Sequence, residues 1–157
     1  MVLLKSDFSG EWVFFQHEGM DEFLREIGVG WMMRKTAAFM DYGIGGGKTR
    51  QILTYDPDKN SLRVVMISPR GTKEVVAPLD GSVFTTPSPK AGEDVSATSQ
   101  WVEDEEGLFI HTVLQENGME AKRRIDNEGI MRIVQTINGV TAIRWFKRAK
   151  QAKEVEK

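Results

Sequence analysis

Cysteine is absent from this chain of 157 residues, and histidine occurs only twice. Without cysteine there are no disulfides, thiolate zinc sites or cysteine nucleophiles, and the composition suits a reducing compartment. His17 and His111 have no second ligand at metal spacing, so no metal site is expected. Neither sign of charge dominates: 21 Lys and Arg face 23 Asp and Glu, a net charge of -2. That balance argues against a nucleic acid held by long-range attraction. Nowhere do about 18 apolar residues run together, as a membrane-spanning helix requires. Val2, Leu3 and Leu4 ahead of Lys5 are too few for the apolar core of a signal peptide. The expectation is a cytoplasmic protein that is neither secreted nor membrane-spanning.

Hydrophobic residues supply 40% of the chain and glycine a further 15 residues, which fits a globular core and excludes disorder. At roughly 150 residues per domain, one unit is predicted. It covers residues 1–149, with Lys150 to Lys157 as a charged C-terminal tail. Gly10 to Gln16 is rich in aromatic and β-branched residues and reads as a strand. From Met20 to Ile27, Met20, Phe23, Leu24 and Ile27 form the one-faced stripe of an amphipathic helix. Gly28 interrupts, and a second helix from about Gly30 to Met40 carries Met33, Ala37 and Met40 on one face.

Beyond Gly47 the helical period gives way to strand-like runs. They are Lys48 to Tyr55, Ser61 to Ser68, Thr72 to Pro78, Ser82 to Thr86, Val95 to Val102, Leu108 to Gln115, Met119 to Ile125, Ile130 to Ile137 and Val140 to Arg148. Turn signals such as Asp56-Pro57-Asp58, Asp80-Gly81, Asn117-Gly118 and Asn138-Gly139 separate them. Connections this short join antiparallel neighbours. The fold class predicted is mainly β: about ten strands in an antiparallel up-and-down β-barrel that closes on itself, capped by a helix-turn-helix lid. A barrel wider than about eight strands is not filled by its own side chains, so its interior is expected to hold a cavity.

Catalytic chemistry finds no carrier. Tyr42 to Thr49 ends like a phosphate loop in Gly47-Lys48-Thr49, but Tyr42 stands where the first glycine is required and the segment follows a helix. Glu103 to Glu106 has the length and polarity of a hairpin turn and lacks the alternating ligands of a calcium loop. His111 lies mid-strand and reads as a barrel residue. No nucleophile, acid or base has a supporting arrangement, so a binding protein that is not an enzyme and needs no cofactor is expected.

Phe8-x-Gly10-x-Trp12, Met20 to Leu24, Ile27-Gly28-Val29-Gly30-Trp31 and Arg34-Lys35 resemble the N-terminal signature of the intracellular fatty-acid-binding proteins, within the calycin superfamily. Asn138 to Ala149 resembles the closing hairpin of the same family. The resemblance implies a helix pair plus ten strands (a β-clam) and a long-chain acid held inside, its carboxylate on two arginines and a tyrosine. Transferred to this chain, the terminal arginine is Arg144, the tyrosine position falls at Phe146, and the earlier arginine lands on Arg124. Arg123 or Ile125 takes that place if the Asn117-Gly118 turn sets the register, since a slip of one turns a strand residue outward. Phe146 lacks the hydroxyl, which weakens a three-point clamp.

The lid and portal positions fall on Met20, Leu24, Val29, Met33 and Ala37, and Trp101 resembles a pocket tryptophan. Arg25, Arg34 and Lys35 resemble a basic lid patch used by some members for transient membrane contact, with plain solvation as the competing reading. Gly43 to Gly47 and Pro87 to Asp94 look like insertions that alter the portal. The function so implied is a monomeric cytoplasmic carrier of a long-chain fatty acid or similar hydrophobic carboxylate. The rivals are a retinoid, bile acid or haem-like ligand in the same fold, a lipocalin-like enzyme, and a collapsed barrel that binds a protein partner.

Overall fold

The computed structural model describes residues 2–44, 49–88 and 93–149. A short 3-10 turn, Lys5–Phe8, leads into β1 (Gly10–Glu18), after which come α1 (Met20–Glu26) and α2 (Trp31–Phe39). The remaining strands are β2 (Arg50–Asp56), β3 (Ser61–Ser68), β4 (Gly71–Pro78), β5 (Asp80–Pro87) and β6 (Asp94–Asp104). They continue as β7 (Gly107–Leu114), β8 (Glu120–Ile125), β9 (Met131–Ile137) and β10 (Val140–Arg148). All ten form one antiparallel sheet in the order β4-β3-β2-β1-β10-β9-β8-β7-β6-β5. Strands adjacent in sequence pair throughout this order except at one place, where the first strand pairs with the last and wraps the sheet round.

The expected closure is incomplete. β4 and β5 end the sheet order and share no ladder. The corner between them explains why: Leu79, buried, donates its N–H to the Asn60 carbonyl at 2.8 Å. That bond ties the corner to the β2–β3 turn, so no β4–β5 hairpin starts there. Asp80-Gly81, expected to be a turn, lies within β5, where the pairing with β6 shifts register between Asp80 and Val83. Of the two expected insertions, 45–47 and 89–92 lie outside the described residues, as do Lys48 and the tail 150–157.

Period-two alternation sends one face of each strand inward. Phe8, Trp12, Phe14, Leu53, Leu62, Ile110, Met131, Ile133 and Phe146 form the larger core cluster. A second cluster seats α1: Phe23 packs with Val95, Ala97, Leu114, Ile137 and Ala142, with Met20 and Ile27 at its margin. α2 has no buried residue, and Trp31, Met32 and Phe39 are exposed. It is tethered through Arg34, whose Nη1 donates to the Val29 carbonyl at 2.8 Å and whose Nε donates to Asp21 Oδ1 at 3.2 Å. The lid is therefore one anchored helix and one lightly held helix.

Gly19 makes the sharp passage from β1 into α1. Its φ is +74°, and a Cβ there would collide with the Thr141 carbonyl oxygen on β10. Gly19→Ala is expected to cost at least the ~1–2 kcal/mol of a left-handed non-glycine residue, with the collision in addition. Urea unfolding checks this, and an unchanged midpoint would contradict the close approach.

Candidate functional site

On β10 the inward row is Ala142, Arg144 and Phe146; on β8 it is Ala121, Arg123 and Ile125. Ile133 of β9 pairs with both Arg144 and Arg123, so the two arginines share one cross-strand row with a single strand between them. Two strand spacings put their Cα atoms about 10 Å apart, within reach of one head group for side chains this long. Both are enclosed by protein while keeping part of their surface uncovered.

Loss of water disfavours a guanidinium charge. It lowers Arg144 to about 10. Burial first, and then the like charge of Arg144, lower Arg123 to about 9. Among the described residues neither has a carboxylate at ion-pair distance. Arg123 Nη1 donates to Gln51 Oε1 at 2.8 Å and lies 3.5 Å from Met131 Sδ. Arg144 Nε is buried with no hydrogen-bond partner, and its guanidinium carbon stands 5.8 Å from the Phe146 ring centre. Phe146 itself is fully buried against Phe14, with ring centroids 5.3 Å apart.

The Arg124 assignment is corrected by the register. Arg124 pairs across β7 with Phe109, whose ring lies 4.0 Å beneath its guanidinium, and it bonds Asp104 in a fork that includes Nη1 to Oδ1 at 2.9 Å. Glu106 adds a contact at 3.7 Å. Those hydrogen bonds hold Asp104 below the usual carboxylate range. Arg124 thus belongs to an outer-face ion cluster, and its neighbour Arg123 occupies the inward position.

Trp101 points inward from β6, near the 3-10 turn. Its indole donates to Asn60 Oδ1 at 3.1 Å, and Phe8 and Tyr55 meet its ring edge-on at 5.4 and 5.6 Å. It is a wall residue whose polar atom is already satisfied.

Met20, Leu24, Val29, Met33 and Ala37 all line one open pocket of about 470 Å³, bordered also by Met40, Tyr42, Thr49 and the β3–β4 turn. The lining is mostly methionine and aliphatic carbon, which adapts to a flexible apolar chain. His17 links this space to the arginine row: it pairs with Arg144 across β1 and β10, and its ring meets Tyr42 at 4.6 Å. His17 Nε2 also lies 2.9 Å from Asp41 Oδ1. His111, with Glu120 at 2.8 Å, pairs with residues of the outer row. Arg34, one of the three residues of the expected basic patch, is taken up by Asp21 and Val29 within the lid; Lys35 stacks over Trp31 at 5.2 Å.

Sequence reasoning did not single out Gln51, Tyr42, Thr36 or Met40 as site residues. Gln51 carried a signal, since it shares its inward row with Leu53 and Tyr55, where a polar residue interrupts an apolar face. Tyr42 carried none, because its position depends on a positive φ of 53° in the turn after α2.

No family model matches the sequence, and no curated protein matches it. Solved structures do match. A protein described as the REP1-NXSQ fatty acid transporter is 20% identical, with a TM-score of 0.72 over 92% of this chain and 98% of its own. A mutant of that transporter is 22% identical, with a TM-score of 0.71 over 91% and 98%. Fatty-acid-binding protein 1 of Echinococcus granulosus is 18% identical, with a TM-score of 0.68 over 92% and 98%. TM-scores near 0.7 over more than nine-tenths of both chains show that this chain has the fold of these fatty-acid-binding structures.

Proposed function

We propose that this protein is a non-catalytic lipid carrier that holds a long-chain fatty acid or similar hydrophobic carboxylate, its tail toward the lid cavity and its head group on Arg144 and Arg123. One observation carries the reading: two enclosed arginines without an acidic partner among the described residues, one with an orphaned Nε. Such charges are costly unless an anion joins them, and a carboxylate suits the planar donor fork of arginine. A sixteen-carbon tail contributes about 10 kcal/mol gross at ~0.8 kcal/mol per methylene, less the freedom lost on binding, so submicromolar affinity is expected. Alcohols and aldehydes would leave both charges uncompensated. Displacement of a fluorescent probe from delipidated protein tests this: oleate should compete at low micromolar concentration or below and retinol weakly. Equal competition by retinol would overturn it.

The lid supports transient contact with a membrane surface as part of the same role. Trp31, Met32 and Phe39 are exposed on α2 beside the cation of Lys35, the combination that partitions into a headgroup layer. Phe39→Ala is expected to slow transfer of a fluorescent fatty acid to anionic vesicles several-fold while leaving affinity in solution unchanged. Equal transfer rates would remove the membrane from the account.

A further inference from the structure

We infer that Gln51 determines the charge of the head group accepted inside the barrel, by holding Arg123 without neutralising it. The inference rests on the carrier reading and adds a specificity determinant to it.

Gln51 is on the inward face of β2 and is only 5% exposed. Its Oε1 accepts from Arg123 Nη1 at 2.8 Å. A guanidinium has donors and no acceptor, so the amide must turn its oxygen to Arg123 and its NH₂ away. That NH₂ has no partner among the described residues. Three properties follow from one neutral side chain. Arg123 is fixed in place at one nitrogen, its charge remains available, and two further N–H donors are presented beside it.

Phe146 offers no hydroxyl to a head group, and the Gln51 amide is a neutral donor held directly against Arg123. A carboxylate has about four lone-pair sites and can accept from both guanidinium groups and the amide together. A glutamate at position 51 would satisfy Arg123 internally and repel an incoming carboxylate. The amide at this position therefore favours an acid over a neutral lipid of the same chain length.

Three proteins test this, the wild type, Gln51→Glu and the near-isosteric Gln51→Met, each titrated by probe displacement with oleate and with its uncharged methyl ester. Thermal midpoints are read in parallel. Gln51→Glu should lower oleate affinity by about 30-fold or more, change methyl oleate affinity by less than about threefold, and raise the ligand-free midpoint. Gln51→Met should lower oleate affinity by about five- to tenfold, again with the ester unmoved. A purely structural role would move both ligands together. Acid preference in the wild type that survives in both variants would overturn the role of Gln51 and leave the carrier reading standing. A wild type that binds oleate no better than the ester would overturn both. Should Gln51→Glu fail to fold, Gln51→Met decides alone.

Discussion

Arg144→Gln is expected to weaken oleate binding by about 10- to 100-fold and to raise the thermal midpoint of the ligand-free protein. The first effect is the loss of charge-assisted hydrogen bonds to a carboxylate, worth about 1.5–3 kcal/mol. The second follows from the sign of the shifts. Both guanidinium groups titrate lower in the folded chain than in the unfolded one, Arg144 at about 10 and Arg123 at about 9. Their charges therefore oppose folding in full below these values, and the opposition fades only as pH climbs through them. At neutral pH the empty barrel carries the whole penalty. Removing Arg144 relieves its own desolvation and its repulsion of Arg123. Opposite movements of affinity and stability in one variant would mark a residue kept for binding rather than for folding. Arg124→Gln is the control: its cluster with Asp104 and Glu106 lies on the outer face, so oleate affinity should stay within about twofold, a change too small for a lost head-group contact. A loss of oleate binding in Arg124→Gln with none in Arg144→Gln would invert the register assigned to β8 and β10.

Trp12→Ala is expected to remove about 3–5 kcal/mol of stability, as other large-to-small changes at fully buried aromatics do. Trp12 is 0% exposed and anchors the barrel where β1 meets both β2 and β10. Its Nε1 donates to the Phe8 carbonyl at 3.0 Å, which pins the preceding 3-10 turn, and the Arg148 guanidinium stacks 4.2 Å from its ring. Truncation would open a cavity, orphan a carbonyl and uncover the last turn of β10 together. Against a total of about 5–15 kcal/mol, that is about a fifth or more of the stability of a small domain. Urea denaturation gives the number, and Trp12→Phe, which keeps most of the volume and loses the hydrogen bond, should cost about 1–2 kcal/mol. A loss below 1 kcal/mol for Trp12→Ala would show that this end of the barrel is not where the fold is held.

The strands were legible because their separators are chemically loud. Asn138-Gly139 carries a positive φ at both residues, as a tight hairpin turn demands, and the strands on either side follow their predicted bounds closely. Asp80-Gly81 has the same chemistry and is not a turn. There a tertiary bond from Leu79 to Asn60 overrides the local signal, and no window of sequence contains both partners. The two lid helices were legible from helical spacing, whereas the five lid and portal residues that line the pocket were named from the resemblance.

The arginine on β8 was not legible because Arg123 and Arg124 are identical in type and adjacent. Composition and periodicity cannot rank them when the strand start is uncertain by one residue. The structure settles the register through the turn, where Met119 donates its N–H to Asn117 Oδ1 at 3.0 Å and β8 begins at Glu120. Alternation then puts Ala121, Arg123 and Ile125 inside.

The central claim, a carboxylate held by the enclosed arginines, is tested most directly by carbon NMR of oleate labelled at its carboxyl carbon and bound to the protein, followed from pH 8 downward. An ion pair with Arg144 and Arg123 favours the ionised form, so the bound signal should stay at its ionised position well below the ordinary carboxyl range of about 4–5. The same signal in Arg144→Gln should move back toward that range. A bound carboxyl that titrates near 4–5 in the wild type, unaffected by Arg144→Gln, would place the head group away from the arginines and contradict the claim.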